Sequence, residues 1–244
     1  MLHESDVRAL ERRLRDDVRR MGEALGDVIR SQSGDGVYDL EERVRRLTKA
    51  RRAGDPVDDE LRQVWADMPR DDAEAVVRAF AVYLDLVNLA EEHHRVRRLQ
   101  TVQRMEHPRP THESIAAAVE TLKDRGWTPT DVQQLLDGLE VSFVFTAHPT
   151  QAKRRTVLSK VRRVREALDG LETPDLLPEV ADELERTLRA EITALWSTEF
   201  SRTEKPTVTD EVRTGLYYFD WTLWRAAAEA HQSLRRALKT HYPE

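Results

Sequence analysis

The run Val141-Ser-Phe-Val-Phe-Thr-Ala-His-Pro-Thr-Gln-Ala-Lys-Arg-Arg155 decides how the rest of the chain is read. Val141, Phe143, Val144 and Phe145 make a short β-branched and aromatic segment after Gly138, the pattern of a buried strand. His148 precedes a proline, which biases it towards extended backbone. Pro149 suits the first turn of a helix, where its missing N–H costs little. The spacing therefore predicts one strand over 141–147, with His148 at its carboxyl end and a helix from 149 to about 168, closed by Asp169-Gly170. The carboxyl end of a strand is where parallel α/β folds carry their chemistry.

The helix after His148 is basic. Lys153, Arg154, Arg155, Lys160, Arg162, Arg163 and Arg165 stand against one acid, Glu166. A helix amino terminus favours anions, and arginine forks fit phosphate or carboxylate. An imidazole beside such a cluster suits proton transfer on an anionic substrate. The same helix also carries an apolar stripe of Val157, Val161, Val164 and Leu168, so its arginines equally fit a solvated outer face. Residue chemistry alone leaves both readings open.

Residues 144–155, centred on Thr-Ala-His-Pro-Thr, resemble the histidine signature of the phosphoenolpyruvate carboxylases without a break. The resemblance implies a mainly α chain, the amino-terminal helical part of an α/β-barrel enzyme. It implies a carboxy-lyase that adds bicarbonate to phosphoenolpyruvate, giving oxaloacetate and inorganic phosphate. In that chemistry bicarbonate attacks the phosphoryl group, and the resulting carboxyphosphate yields the CO2 that the enolate captures. His148 corresponds to the histidine that handles the carboxyphosphate proton. Arg154 and Arg155 match paired arginines that bind a regulatory sugar phosphate in some members, and Arg202 is the candidate third. Mg2+ or Mn2+ is implied for the complete enzyme, with its ligands outside this chain. So is a homo-oligomer once the enzyme is complete.

The family's glycine-rich loop, Phe-His-Gly-Arg-Gly-Gly, is absent from the 244 residues, as is its Gly-Tyr-Ser-Asp-Ser segment. The expectation is an amino-terminal fragment, inactive alone, whose partner is the remainder of the enzyme chain. Its expected parts are a helical scaffold over 1–107, linker helices over 108–140, and the histidine-bearing strand with its succeeding helices over 141–244. A non-catalytic anion-binding or helical interaction module is the alternative.

The flanking sequence agrees with a helical protein. Val7, Leu10, Leu14, Val18, Met21, Leu25 and Val28 recur at helical spacing from Ser5, a candidate cap, to a break over 31–36. A second helix carries Val37, Leu40, Val44 and Leu47. The most regular one spans 71–105 and contains Glu91-Glu-His-His-Arg95. Glu91 and His94 have the spacing of carboxylate-bridged metal sites, but only one such motif exists where two are needed. A helix over 111–125 has Thr111 as its expected cap, and Thr130 is the expected cap of 131–139. Beyond Trp196 comes a polar loop in which Phe200 stands where the family usually has an acid. A last helix runs from Thr209 towards Leu238, with Tyr217, Tyr218, Trp221 and Trp224 read as core. The net charge of −6 does not suit a nucleic-acid binder, and no apolar run reaches membrane-spanning length. The lack of cysteine excludes disulfides and thiolate metal sites and fits a cytoplasmic protein.

Overall fold

The computed structural model describes residues 4–142, 153–199 and 207–243, and every described element is helical. The helices are α1 (Glu4–Ser33), α2 (Asp35–Ala53), α3 (Asp58–Asp67), α4 (Arg70–Glu106), α5 (Ile115–Asp124), α6 (Pro129–Asp137), α7 (Arg155–Leu171), α8 (Pro178–Trp196), α9 (Val208–Tyr218) and α10 (Trp224–His241). They fall into two compact units, one of residues 3–97 and 156–201, the other of 1–2, 98–155 and 202–244.

The first unit holds the main core. α1 packs on α2 and α8, and α2 on α3. Met21, Leu25 and Ile29 of α1 meet Val76, Val82 and Leu86 of α4, Val157, Val164 and Leu168 of α7, and Leu188, Ile192 and Leu195 of α8. With Ala79 of α4 and the half-buried Val161 of α7, these side chains recur three and four apart, so each helix offers one apolar stripe to a shared interior. The stripe expected on α7 is therefore real: Val157, Val164 and Leu168 are buried. Gly170 lies inside α7 rather than closing it, and a Cβ there would stand 3.0 Å from the Leu184 side chain of α8. The expected break over 31–36 contracts to Gly34, whose φ of 86° turns the chain between α1 and α2 at one residue.

In the second unit α10 packs on α5. Two caps differ from expectation. Ser114, not Thr111, caps α5, its hydroxyl accepting from the Ala117 N–H at 3.1 Å. Thr128, not Thr130, caps α6 in a reciprocal box with Asp131, because Pro129 already supplies the fixed φ of a first helical position. Ser114→Ala is expected to cost about 1 kcal/mol by loss of the cap, read as a lower midpoint in urea unfolding.

The expected last helix is interrupted. Phe219–Leu223 form a π-helical turn between α9 and α10. The aromatic residues read as core are largely at the surface, with Trp221 56% and Trp224 71% exposed. The periodicity that suggests burial also fits an apolar face on the outside of a helix.

No strand occurs among the described residues. Val141 and Ser142, at the start of the expected strand, have no regular structure, and Val141 is 69% exposed. The remainder, 143–147, lies outside the described residues.

Candidate functional site

His148 and Arg202 lie outside the described residues, so the site is built from the cations after the histidine signature and from the helices that support them. α7 begins at Arg155, not at residue 149; Lys153 and Arg154 precede it without helical structure. No acid occupies its first turn. Three consecutive cations thus stand at the positive end of a helix dipole.

Further along α7 the charges resolve differently. Arg162 faces Glu166 at 3.5 Å, Arg163 meets Glu191 of α8 at 3.0 Å, and Arg165 lies 3.9 Å from Glu92 of α4. The body of the helix is therefore the solvated, ion-paired face that its sequence allows. Arg154 is half-buried and Arg155 exposed. The Arg155 guanidinium sits over the Tyr217 ring of α9, 5.7 Å from its centroid. Tyr217 in turn lies edge-on to Tyr218 at 5.6 Å and tilted to Trp221 at 6.4 Å. A cation–π contact holds a guanidinium while leaving its N–H groups able to donate.

The far end of α7 is anchored by a charge cluster, built around two buried side chains, that sequence reading missed. His93 and Arg97 of α4 are 2% and 4% exposed. His93 Nε2 lies 2.8 Å from Asp169 Oδ1 and 3.5 Å from Glu172 Oε2. Its Nδ1 lies 2.8 Å from Arg97 Nη2 and 3.4 Å from Asp17 Oδ2. Arg97 also pairs with Asp17 of α1 and with Glu172. Burial pushes the Asp17 carboxyl up, but hydrogen bonds from His93 and Arg97 outweigh it and hold the group below its ordinary range. The cluster ties α1, α4 and the end of α7 together.

The Glu91/His94 pair forms no metal site, and no group of three or more potential ligands able to hold a metal ion exists among the described residues. The acids around His93 do not serve either, because the Arg97 guanidinium already occupies their centre. The described residues therefore do not fit a divalent cation. Among them, too, no helix is long and apolar enough to cross a membrane.

Comparison with known proteins gives a consistent result. A family model described as phosphoenolpyruvate carboxylase matches residues 14–244. A protein named phosphoenolpyruvate carboxylase from Roseiflexus castenholzii is 43% identical over 243 residues, which is 99% of this chain and 25% of that protein. Proteins of the same name from Thermus sp. and Thermus thermophilus are 41% and 39% identical over 233 residues, 94% of this chain and 26% of each. The chain spans about a quarter of the length of the curated relatives it matches.

Proposed function

The chain belongs to the phosphoenolpyruvate carboxylase family, and we propose that it supplies the proton-handling histidine of an enzyme that carboxylates phosphoenolpyruvate with bicarbonate. The observation that carries this reading is the unbroken signature over 144–155, lying inside a match that runs from 14 to 244. On this reading His148 stands at the end of a short strand of an α/β barrel, on the helices of 1–107 as scaffold. It takes the proton of carboxyphosphate as that intermediate yields CO2. A group with a pKa near neutrality, fixed beside anions, does this work efficiently. The cations of 153–155 hold negative charge nearby, with Arg155 set by Tyr217. The ligands of the family's divalent metal are assigned to residues outside this chain, and the partner that brings them is the rest of the enzyme, in the cytoplasm.

Grafting tests this reading. This chain would replace the matching quarter of the Roseiflexus castenholzii relative, and oxaloacetate would be measured from phosphoenolpyruvate and bicarbonate. Activity within about tenfold of the parent is expected, less than about 1.4 kcal/mol in the barrier. A folded graft without activity would overturn the proposal.

The arginines separate from the histidine in the same graft. Arg154→Ala or Arg155→Ala is expected to weaken binding of a sugar phosphate by about 1–3 kcal/mol, the scale of a charge-assisted hydrogen bond. The measurement is calorimetric titration. Unchanged affinity in both variants would return these side chains to the solvated face.

A further inference from the structure

α1, α2 and α4 enclose an open groove of about 650 Å³, within the unit that holds the main core. Gly22 and Gly26 leave the α1 wall bare. A Cβ on Gly26 would stand 3.1 Å from Tyr38 Cε2, and one on Gly22 3.8 Å from Tyr83 Cε2, so two phenol rings lie against that glycine face. Val18 and Ile29 extend the apolar lining.

Glu41 of α2 lines the same groove. It is 9% exposed, and among the described residues no hydrogen bond or ion pair reaches its carboxyl. The other acids of the groove are matched. Glu23 has Arg19 at 3.7 Å, Asp27 has Arg189 at 2.8 Å, and Glu42 takes Arg45 at 2.9 Å. Arg45, one helical turn beyond Glu41, is thus engaged with the neighbouring acid. Burial, reinforced by the charge of Glu42, outweighs the attraction of Arg45 and pushes the Glu41 carboxyl above its ordinary range. A carboxyl on a largely buried side chain with no hydrogen bond is costly to the fold, and groups held at such cost concentrate where ligands bind.

We propose that this groove binds a primary ammonium carried on an apolar body, the ammonium pairing with Glu41 and the body lying along Tyr38 and Tyr83. The chemistry is selective. An anion meets the Glu41 charge, and a neutral apolar molecule leaves that carboxyl unpaired. A tyrosine face adds attraction for a cation. The Tyr38 ring already carries the Arg30 guanidinium, 3.7 Å from its centroid, which shows that this wall accepts a positive group. The inference concerns a different surface from the histidine segment and does not depend on carboxylation.

The test uses the 244-residue chain near neutral pH and follows amide NMR shifts. The probe is 2-phenylethylammonium, with 3-phenylpropionate as a similar apolar body of opposite charge. Saturable shifts are expected around Gly22, Gly26 and Glu41 with the ammonium and not with the carboxylate. Glu41→Gln should weaken binding at least about tenfold, or about 1.4 kcal/mol. It should also raise the unfolding temperature, which separates lost binding from lost fold. Gly22→Met, which fills the groove and leaves Glu41 intact, should abolish the shifts. No saturable shift in the wild-type chain would overturn the proposal. So would equal ammonium affinity in Glu41→Gln, or equal binding of the carboxylate.

Discussion

Arg97→Met is expected to destabilise the first unit by about 3 kcal/mol, the lower end of the range for breaking a buried ion pair. The lower end applies because Glu172 keeps 32% of its side chain exposed, whereas Asp17 keeps only 14%. The variant leaves Asp17, Asp169 and Glu172 facing one another with only His93 to offset them. The cost comes from uncompensated charge rather than lost packing, since methionine fills much of the same volume. Adding Asp17→Asn should therefore recover part of the loss, as a double-mutant cycle would measure. The pH dependence has a definite sign. The folded Asp17 carboxyl titrates below its unfolded value, so its contribution is full above the ordinary carboxylate range. It is lost as pH falls through the folded value. Urea unfolding at neutral and acidic pH should show the wild-type chain losing stability on acidification and the Asp17→Asn chain losing less. Equal acid sensitivity in both would mean that Asp17 contributes nothing to it.

His148→Asn in the grafted enzyme is expected to lower oxaloacetate formation by about two to four orders of magnitude, the span of general acid–base catalysis. Asparagine keeps the size and polarity of the side chain but cannot exchange a proton near neutral pH. The loss should fall on kcat, with KM for phosphoenolpyruvate moving little, since the substrate anion is held by other groups. An equal loss in Arg155→Ala would imply that the cations, not the imidazole, carry the step.

How far such roles are legible in sequence depends on the range of the interactions. The helix expected over 71–105 runs from Arg70 to Glu106, because its apolar repeat is local and long. The buried stripe of α7 follows for the same reason. Caps shift by two or three residues where several hydroxyls compete, as with Thr111 against Ser114 and Thr130 against Thr128. The His93 cluster is not legible at all. Its acids come from α1 and the end of α7, and only tertiary packing brings them to α4. Nor does a run of arginines say which are paired: the partners of Arg163 and Arg165 lie on other helices. The aromatic residues of α9 and α10 show the converse limit. Their spacing marks an apolar face without saying what lies against it, and Trp221 and Trp224 are exposed. For the site, the signature makes the chemistry-bearing residue types legible, whereas the Tyr217 contact of Arg155 arises only from packing.

On the proposed reading His148 acts on carboxyphosphate rather than on substrate binding. The ratio of oxaloacetate to phosphate formed with oxygen-18-labelled bicarbonate distinguishes these two roles. In the graft with His148 intact, roughly equal amounts of the two products are predicted, with label in the phosphate, as attack of bicarbonate on the phosphoryl group requires. In His148→Asn, continued release of labelled phosphate with little oxaloacetate is predicted. Equal yields of the two products at undiminished rate in the variant would contradict the claim.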